Sequence, residues 1–193
     1  MSLREKKKDK TRLQLLEAAL ELIGRQGFAE TTINQIAAAV DVSPRTLLRY
    51  FPSKEDVIVS WVQDGMAIFL STLASRPADE SAAVALLESA RALLRSYQER
   101  AEFYLTIERV IASAPDISAR KQQMSTTLAA AVSAMLAQRT KQIDSSPLAN
   151  DLYPAVVFAL IRIVIQQWVA RDGKPPLEEL FDEACELIQF QQR

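Results

Sequence analysis

Apolar residues recur every three or four positions along this chain, and no stretch alternates apolar with polar as a half-buried strand would. Leu13, Leu16, Leu20 and Ile23 place one apolar face on a first helix expected over 9–25. Gly27 then Phe28 mark its end, the Gly in the left-handed conformation and the Phe packing back. Ile36, Ala37 and Val40 supply the stripe of a second helix, for which Thr32 and Gln35 form a capping box. Asp41 falls where the chain must turn, and Asp enters the left-handed region at modest cost. Ser43 caps a third helix, with Pro44 in the first turn, where a missing N–H is tolerated. Leu47 and Phe51 point inward, Pro52 ends the helix, and Ser53 caps a fourth that runs to about Leu73. Ile58, Trp61, Ile68 and Phe69 are its buried side, and Gly65 predicts a close helix crossing or a kink. Further helices are expected at 81–99, 102–113, 117–139, 148–171 and 177–190. The fold class is all-α, with about nine helices.

Composition then removes whole classes of chemistry. The chain has 193 residues, 49% of them hydrophobic, so a core is within reach. It has no histidine, which takes away the commonest general base and the commonest metal ligand. Cys185 stands alone, so neither an intrachain disulfide nor a zinc cluster is expected; it reads as a small buried hydrophobe. The glycines, Gly24, Gly27, Gly65 and Gly173, are too scattered for a phosphate-cradling loop. No catalytic residue, metal or cofactor is predicted. The charged N-terminus leads into no apolar signal segment. The most hydrophobic run, Leu152 to Val169, contains Arg162, Gln166 and Gln167, and reads as a buried helix rather than a membrane span. A cytoplasmic protein with no membrane partner is expected.

Net charge is −1, yet it is unevenly spread. Residues 1–55 hold ten Lys/Arg against seven Asp/Glu, and residues 56–193 hold thirteen against seventeen. A basic head on an acidic body is expected where one end meets phosphate. Helices two and three, joined by a tight turn, form a helix-turn-helix that presents the third helix outward. A major groove roughly 12 Å wide admits one such helix, and residues near its N-terminus reach the base edges. Here these are Ser43, Pro44, Arg45, Thr46, Leu48 and Arg49. Arg45 and Arg49, one turn apart, each offer the bidentate fork that suits guanine. Leu48 or the Pro44 ring could pack on a thymine methyl, while Thr32, Tyr50 and Lys54 flank the set at positions suited to phosphate.

The segment from Thr11 to Asp56 resembles the TetR family of bacterial transcriptional regulators. The likeness rests on Gly27-Phe28, Thr31-Thr32-Ile33, Ile36-Ala37, Val42-Ser43, Thr46-Leu47, Tyr50-Phe51 and Ser53-Lys54-Glu55. It implies a homodimer with an N-terminal helix-turn-helix and a C-terminal effector domain, acting most often as a repressor. It also implies phosphate contacts at Thr32, Thr46, Tyr50 and Lys54, and base reading at Pro44, Arg45 and Arg49. Two positions depart from the family pattern: Asp41 stands where Gly is common, and Leu48 where Tyr is frequent. Operator preference therefore does not carry over.

The expected division is a DNA-binding domain over 9–54 and an effector-binding and dimerisation domain over 55–193, with the fourth helix as the link and lever. From Ala155 to Ile165 ten of eleven residues are apolar, so that helix must be covered on every side. The helix over 177–190 is amphipathic. Together they predict a dimer interface through Val156, Leu160, Ile163, Val164, Leu177, Phe181, Ala184 and Ile188. Trp61, Phe69, Phe103, Tyr104, Ile107, Ile111 and Trp168 are the candidate lining of an effector pocket, with Glu108 or Arg109 as a polar anchor. Residues 101–172 are similar to C-terminal domains of actinobacterial family members, which implies a hydrophobic, lipid-like effector. The expected partners are thus a palindromic double-stranded operator, a small hydrophobic effector and a second copy of the chain. The rival readings are a helical adaptor whose helix-turn-helix does not engage DNA, and an activator of the same family.

Overall fold

The computed structural model describes residues 3–139 and 147–188, and among them the chain is helical throughout, without strands. The order is α1 (Leu3–Gln26), α2 (Ile33–Ala39), α3 (Pro44–Tyr50), α4 (Lys54–Ser75), α5 (Ala82–Gln98), α6 (Ala101–Ser113), α7 (Pro115–Arg139), α8 (Pro147–Ala170) and α9 (Leu177–Leu187). The last two positions of the helix expected over 177–190, and most of the break expected before Pro147, lie outside the described residues.

The chain forms two compact units. Among the described residues, the first comprises 3–62 and 106–121, and the second 63–105, 122–139 and 147–188. The boundary expected between 54 and 55 falls inside the first unit, which takes in the start of α4, most of α6 and the start of α7.

In the first unit, α1 begins six residues before its expected start, because Arg, Glu and Lys sustain a helix without an apolar face. Its core side is Leu15, Leu16, Ala19, Leu20 and Ile23; Leu13, expected on that side, is 38% exposed. The apolar stripe is therefore rotated slightly from the assigned phase. Gly27, at φ 87°, closes α1 with its N–H 2.8 Å from the Ile23 carbonyl oxygen. Ile36, Leu47, Phe51, Val57 and Ile58 complete this core. Arg12 clamps α1 onto α4, donating to the Ser60 carbonyl at 2.9 Å while lying over the Phe51 ring.

The α6–α7 segment of this unit buries Ile107, Ile111 and Ile117 and adds two ion pairs. Lys121 donates to both carboxylate oxygens of Glu108 at 2.5 and 2.7 Å, and its ammonium lies 5.0 Å from the Trp61 ring. The preceding residue, Arg120, reaches Asp56 at 3.1 Å.

The second unit packs α5 against α8 and α9. Gly65 of α4 lets Leu93 of α5 come close: a Cβ at Gly65 would meet the Leu93 Cδ1 at 2.9 Å. Of the two expectations for this glycine, the close crossing is the one observed. Arg91–Asp182 and Arg95–Glu178 ion pairs tie α5 to α9. Two stretches, Pro44–Ser75 and Pro147–Ala170, have the length and apolarity of a membrane span. The first is two helices separated at Pro52, half buried over its most apolar window. The second is 39% buried over its most apolar window.

Candidate nucleic-acid interface

Local sequence chemistry positions α2 and α3. The Thr32 side chain accepts the Gln35 N–H at 3.3 Å, and the Gln35 side chain accepts the Thr32 N–H at 2.9 Å, which completes the capping box. Gln26 donates to Glu30 and Gln35 and so braces the same loop. The turn then uses Asp41 at φ 54°, with the Asp41 and Val42 N–H groups returning to the Ala38 and Ala37 carbonyls. Ser43 Oγ accepts the Thr46 N–H at 3.1 Å, and Pro44 occupies the first turn. Leu47 is fully buried and Phe51 nearly so, which fixes the rotation of α3.

That rotation decides what α3 shows. Pro44, Arg45, Leu48 and Arg49 are exposed, Thr46 and Tyr50 half-buried. Arg45 has no partner among the described residues. The Arg49 guanidinium lies 5.7 Å from the Tyr50 ring, and Tyr50 tilts against Phe51. Thr32 and Ser43 are exposed but already engaged as caps. An outward face with two exposed guanidiniums is suited to the edges and backbone of a duplex.

Lys54 is placed differently from its expected role. Its ammonium donates to the carbonyls of Phe28 at 2.7 Å, Thr31 at 3.0 Å and Ala29 at 3.3 Å. It also lies 4.2 Å from the Phe28 ring. A lysine has three protons to donate, and these acceptors take them all. In this structure Lys54 therefore braces the α1–α2 loop instead of reaching outward. No local sequence signal marks this, because the acceptors lie 23 to 26 residues earlier.

Residues 15–60 match the family model for bacterial regulatory proteins of the tetR family, and residues 78–191 match the MftR C-terminal domain. The HTH-type transcriptional regulator TcmR of Streptomyces glaucescens is 31% identical over 179 residues, covering 88% of this chain and 77% of its own. The chain belongs to the TetR family. TetR-family proteins are transcriptional regulators with a DNA-binding helix-turn-helix, not enzymes. Among solved structures, a TetR-family regulator from Syntrophomonas wolfei superposes with a TM-score of 0.70 at 18% identity, over 94% of each chain. FadR of Bacillus subtilis, solved with stearoyl-CoA, gives 0.64 at 18% identity over 91% of this chain and 96% of its own. At such identity these two likenesses speak to the fold.

Within this TetR-family chain the seven candidate effector residues divide between the units. Trp61, Ile107 and Ile111 are buried in the first. Phe69, Phe103, Tyr104 and Trp168 belong to the second. There Tyr104 stacks on Tyr97 at 4.2 Å between ring centroids and meets Phe103 edge-on, while Phe69 contacts Phe158 at 5.0 Å. Burial pushes the Tyr104 hydroxyl above its ordinary pKa. Tyr97 and Phe158 were absent from the sequence-derived set. Of its two proposed anchors, Glu108 is paired with Lys121 and Arg109 is exposed.

The eight candidate interface residues also separate. Leu160, Val164, Leu177 and Phe181 are buried within the chain itself, Val156 and Ala184 are half-buried, and Ile163 and Ile188 are exposed. Leu148, Leu152 and Leu187, outside the expected set, are more exposed still. The Cys185 thiol is half-buried and its pKa is raised, first by burial, which keeps it protonated.

Proposed function

We propose that this chain is a homodimeric repressor that binds a palindromic operator in the cytoplasm and is released from it by a small hydrophobic effector. The observation that carries the DNA half is the outward face of α3, where Arg45, Leu48 and Arg49 stand exposed opposite the buried Leu47.

Dimerisation is supported by a stripe on α8. Leu148, Leu152 and Ile163 are exposed there by 70%, 50% and 44%, with Ala155 on the same side. Leu187 and Ile188 at the end of α9 add to the exposed apolar surface. Apolar area on this scale is stabilised by being covered, and a second copy brings an identical stripe. The proposed interface is therefore Leu148, Leu152, Val156 and Ile163 with Ala184 and Ile188. The four residues buried within the subunit serve as the floor beneath them. Two copies would set their recognition helices about 34–36 Å apart, one turn of duplex.

The effector half rests on the second unit's aromatic residues. Trp168 is fully buried, and its indole N–H has no acceptor among the described residues. Buried donors are almost always satisfied, and a ligand carbonyl would satisfy this one. Stearoyl-CoA in FadR is an acyl ligand held by the same fold. By linkage, an effector releases DNA only to the extent that it prefers the state that does not bind.

The test is fluorescence anisotropy on the DNA upstream of the chain's own gene against a scrambled duplex, over a salt series. Tight binding to the first alone is expected, with log affinity falling against log salt by about 0.9 per neutralised phosphate. Oleoyl-CoA should then release it. Equal, weak binding to both duplexes, and to duplexes selected from random DNA, would favour the adaptor reading. Tighter binding with acyl-CoA would overturn induction by release.

A further inference from the structure

Leu48 is a large apolar side chain, 47% exposed, in the middle of a helix that otherwise shows water two arginines and a proline. Its neighbour Leu47 is fully buried, and that anchors the geometry. At about 100° per residue, Arg45 and Arg49 flank the direction opposite Leu47. Leu48 stands beside Arg45, one turn beyond Pro44. Single exposed leucines are common on protein surfaces and mean nothing by themselves. This one lies inside the face that the proposed function turns toward DNA.

A major groove offers one protruding apolar feature, the 5-methyl group of thymine; the rest of its floor is donors and acceptors. A leucine can contribute nothing to those donors and acceptors, so the methyl is the feature of the groove floor that it can cover. Side chains on a helix lean back toward its N-terminus, which carries the Leu48 methyls over the turn that holds Pro44 and Arg45. The Pro44 ring is exposed too, but it is short and fixed at the helix start. Leu48 is the longer of the two and leans toward the end that enters the groove.

We propose that Leu48 is a specificity-determining residue that reads the 5-methyl group of one thymine in each half-site, beside a guanine taken by Arg45. This rests on the reading of α3 as the recognition helix.

The experiment uses the full-length protein and a duplex it selects from random DNA. Each thymine is replaced singly by deoxyuridine, which removes the methyl and leaves every hydrogen-bonding group in place. Binding is read by anisotropy for the wild type, Leu48→Ala and Leu48→Met. One position per half-site should weaken wild-type binding about fourfold, the effect of uncovering one methyl. The loss should vanish in Leu48→Ala and persist in Leu48→Met. Because the side chain is exposed, both variants should fold, which circular dichroism checks. A wild type indifferent to deoxyuridine at every position overturns the proposal, as does a Leu48→Ala variant with undiminished sensitivity. If the wild type selects no sequence at all, the recognition reading fails with it, and that result is distinct from the other two.

Discussion

The Lys54 ammonium sits 2.7 Å from the carbonyl oxygen of Phe28 and 4.2 Å from the centroid of the same residue's ring. With Ala29 and Thr31 as further acceptors, this one charge joins the start of α4 to the loop that leads into α2. Lys54→Met should destabilise the protein by about 2 kcal/mol, since hydrogen bonds to a charged donor contribute more than neutral ones. The salt dependence of DNA binding should keep its slope. A slope smaller by about 0.9 per subunit would show that Lys54 neutralises phosphate instead.

Arg45 and Arg49 are exposed, so replacing them should leave stability nearly unchanged. Arg45→Ala and Arg49→Ala should each lower discrimination between the operator and single-base variants by about 1–3 kcal/mol. The double variant should keep little preference for the operator over a scrambled duplex, no more than the few-fold that Leu48 would supply. Competition binding, together with a urea melt that matches wild type, checks both halves.

A charge placed on the α8 stripe should separate the proposed dimer. Ile163→Asp puts a carboxylate on each copy of a surface that the dimer would cover. A cost of about 3 kcal/mol is expected, on the order of a hundredfold in the dimer dissociation constant. Sedimentation velocity should show a monomer with unchanged helix content. A variant that sediments as the wild type does would place the interface elsewhere.

Glu108 and Lys121 form an ion pair whose side chains are 6% and 23% exposed. Removing one partner leaves the other charge buried, so Lys121→Met should cost about 3 kcal/mol in a urea melt. Glu108→Met with Lys121→Met should recover most of that loss, because no uncompensated charge remains. A double variant as unstable as the single would point to the Trp61 contact as the source.

Tyr104 gives stability a pH dependence on the alkaline side. Its hydroxyl pKa is raised from the usual 10.0, chiefly by burial, so ionisation costs more in the folded chain than in the unfolded one. The stability linked to the neutral phenol is complete below pH 10 and is lost as pH rises from there toward the folded value. Urea midpoints from pH 8 to 11 should therefore fall less steeply for Tyr104→Phe than for wild type. Parallel curves would count against it.

What the chain states openly is what a few neighbouring residues settle among themselves. The Thr32–Gln35 capping box, the Ser43 cap with Pro44 behind it and the closing Gly27 each act within one turn. The nine helices among the described residues could be placed for that reason, with ends off by a few residues at most, except at α1. The outward set on α3 was legible too, because a helix of seven residues has little freedom once Leu47 and Phe51 are anchored.

Other features depend on partners far along the chain, and there the tertiary structure decided. In α8, ten of eleven residues from Ala155 to Ile165 are apolar, so the sequence carries no phase. Packing against α5 and α9 chose to bury Leu160 and Val164 and to leave Ile163 outside. Lys54 looked like any basic residue at a helix start until folding brought three carbonyls from the preceding loop around it. The placing of 106–121 with the first unit was likewise hidden. Glu108, Lys121, Asp56 and Arg120 are ordinary surface residues by type, and only packing made them pairs. Periodicity and capping are encoded within a turn; the choice of partner is a property of the whole core.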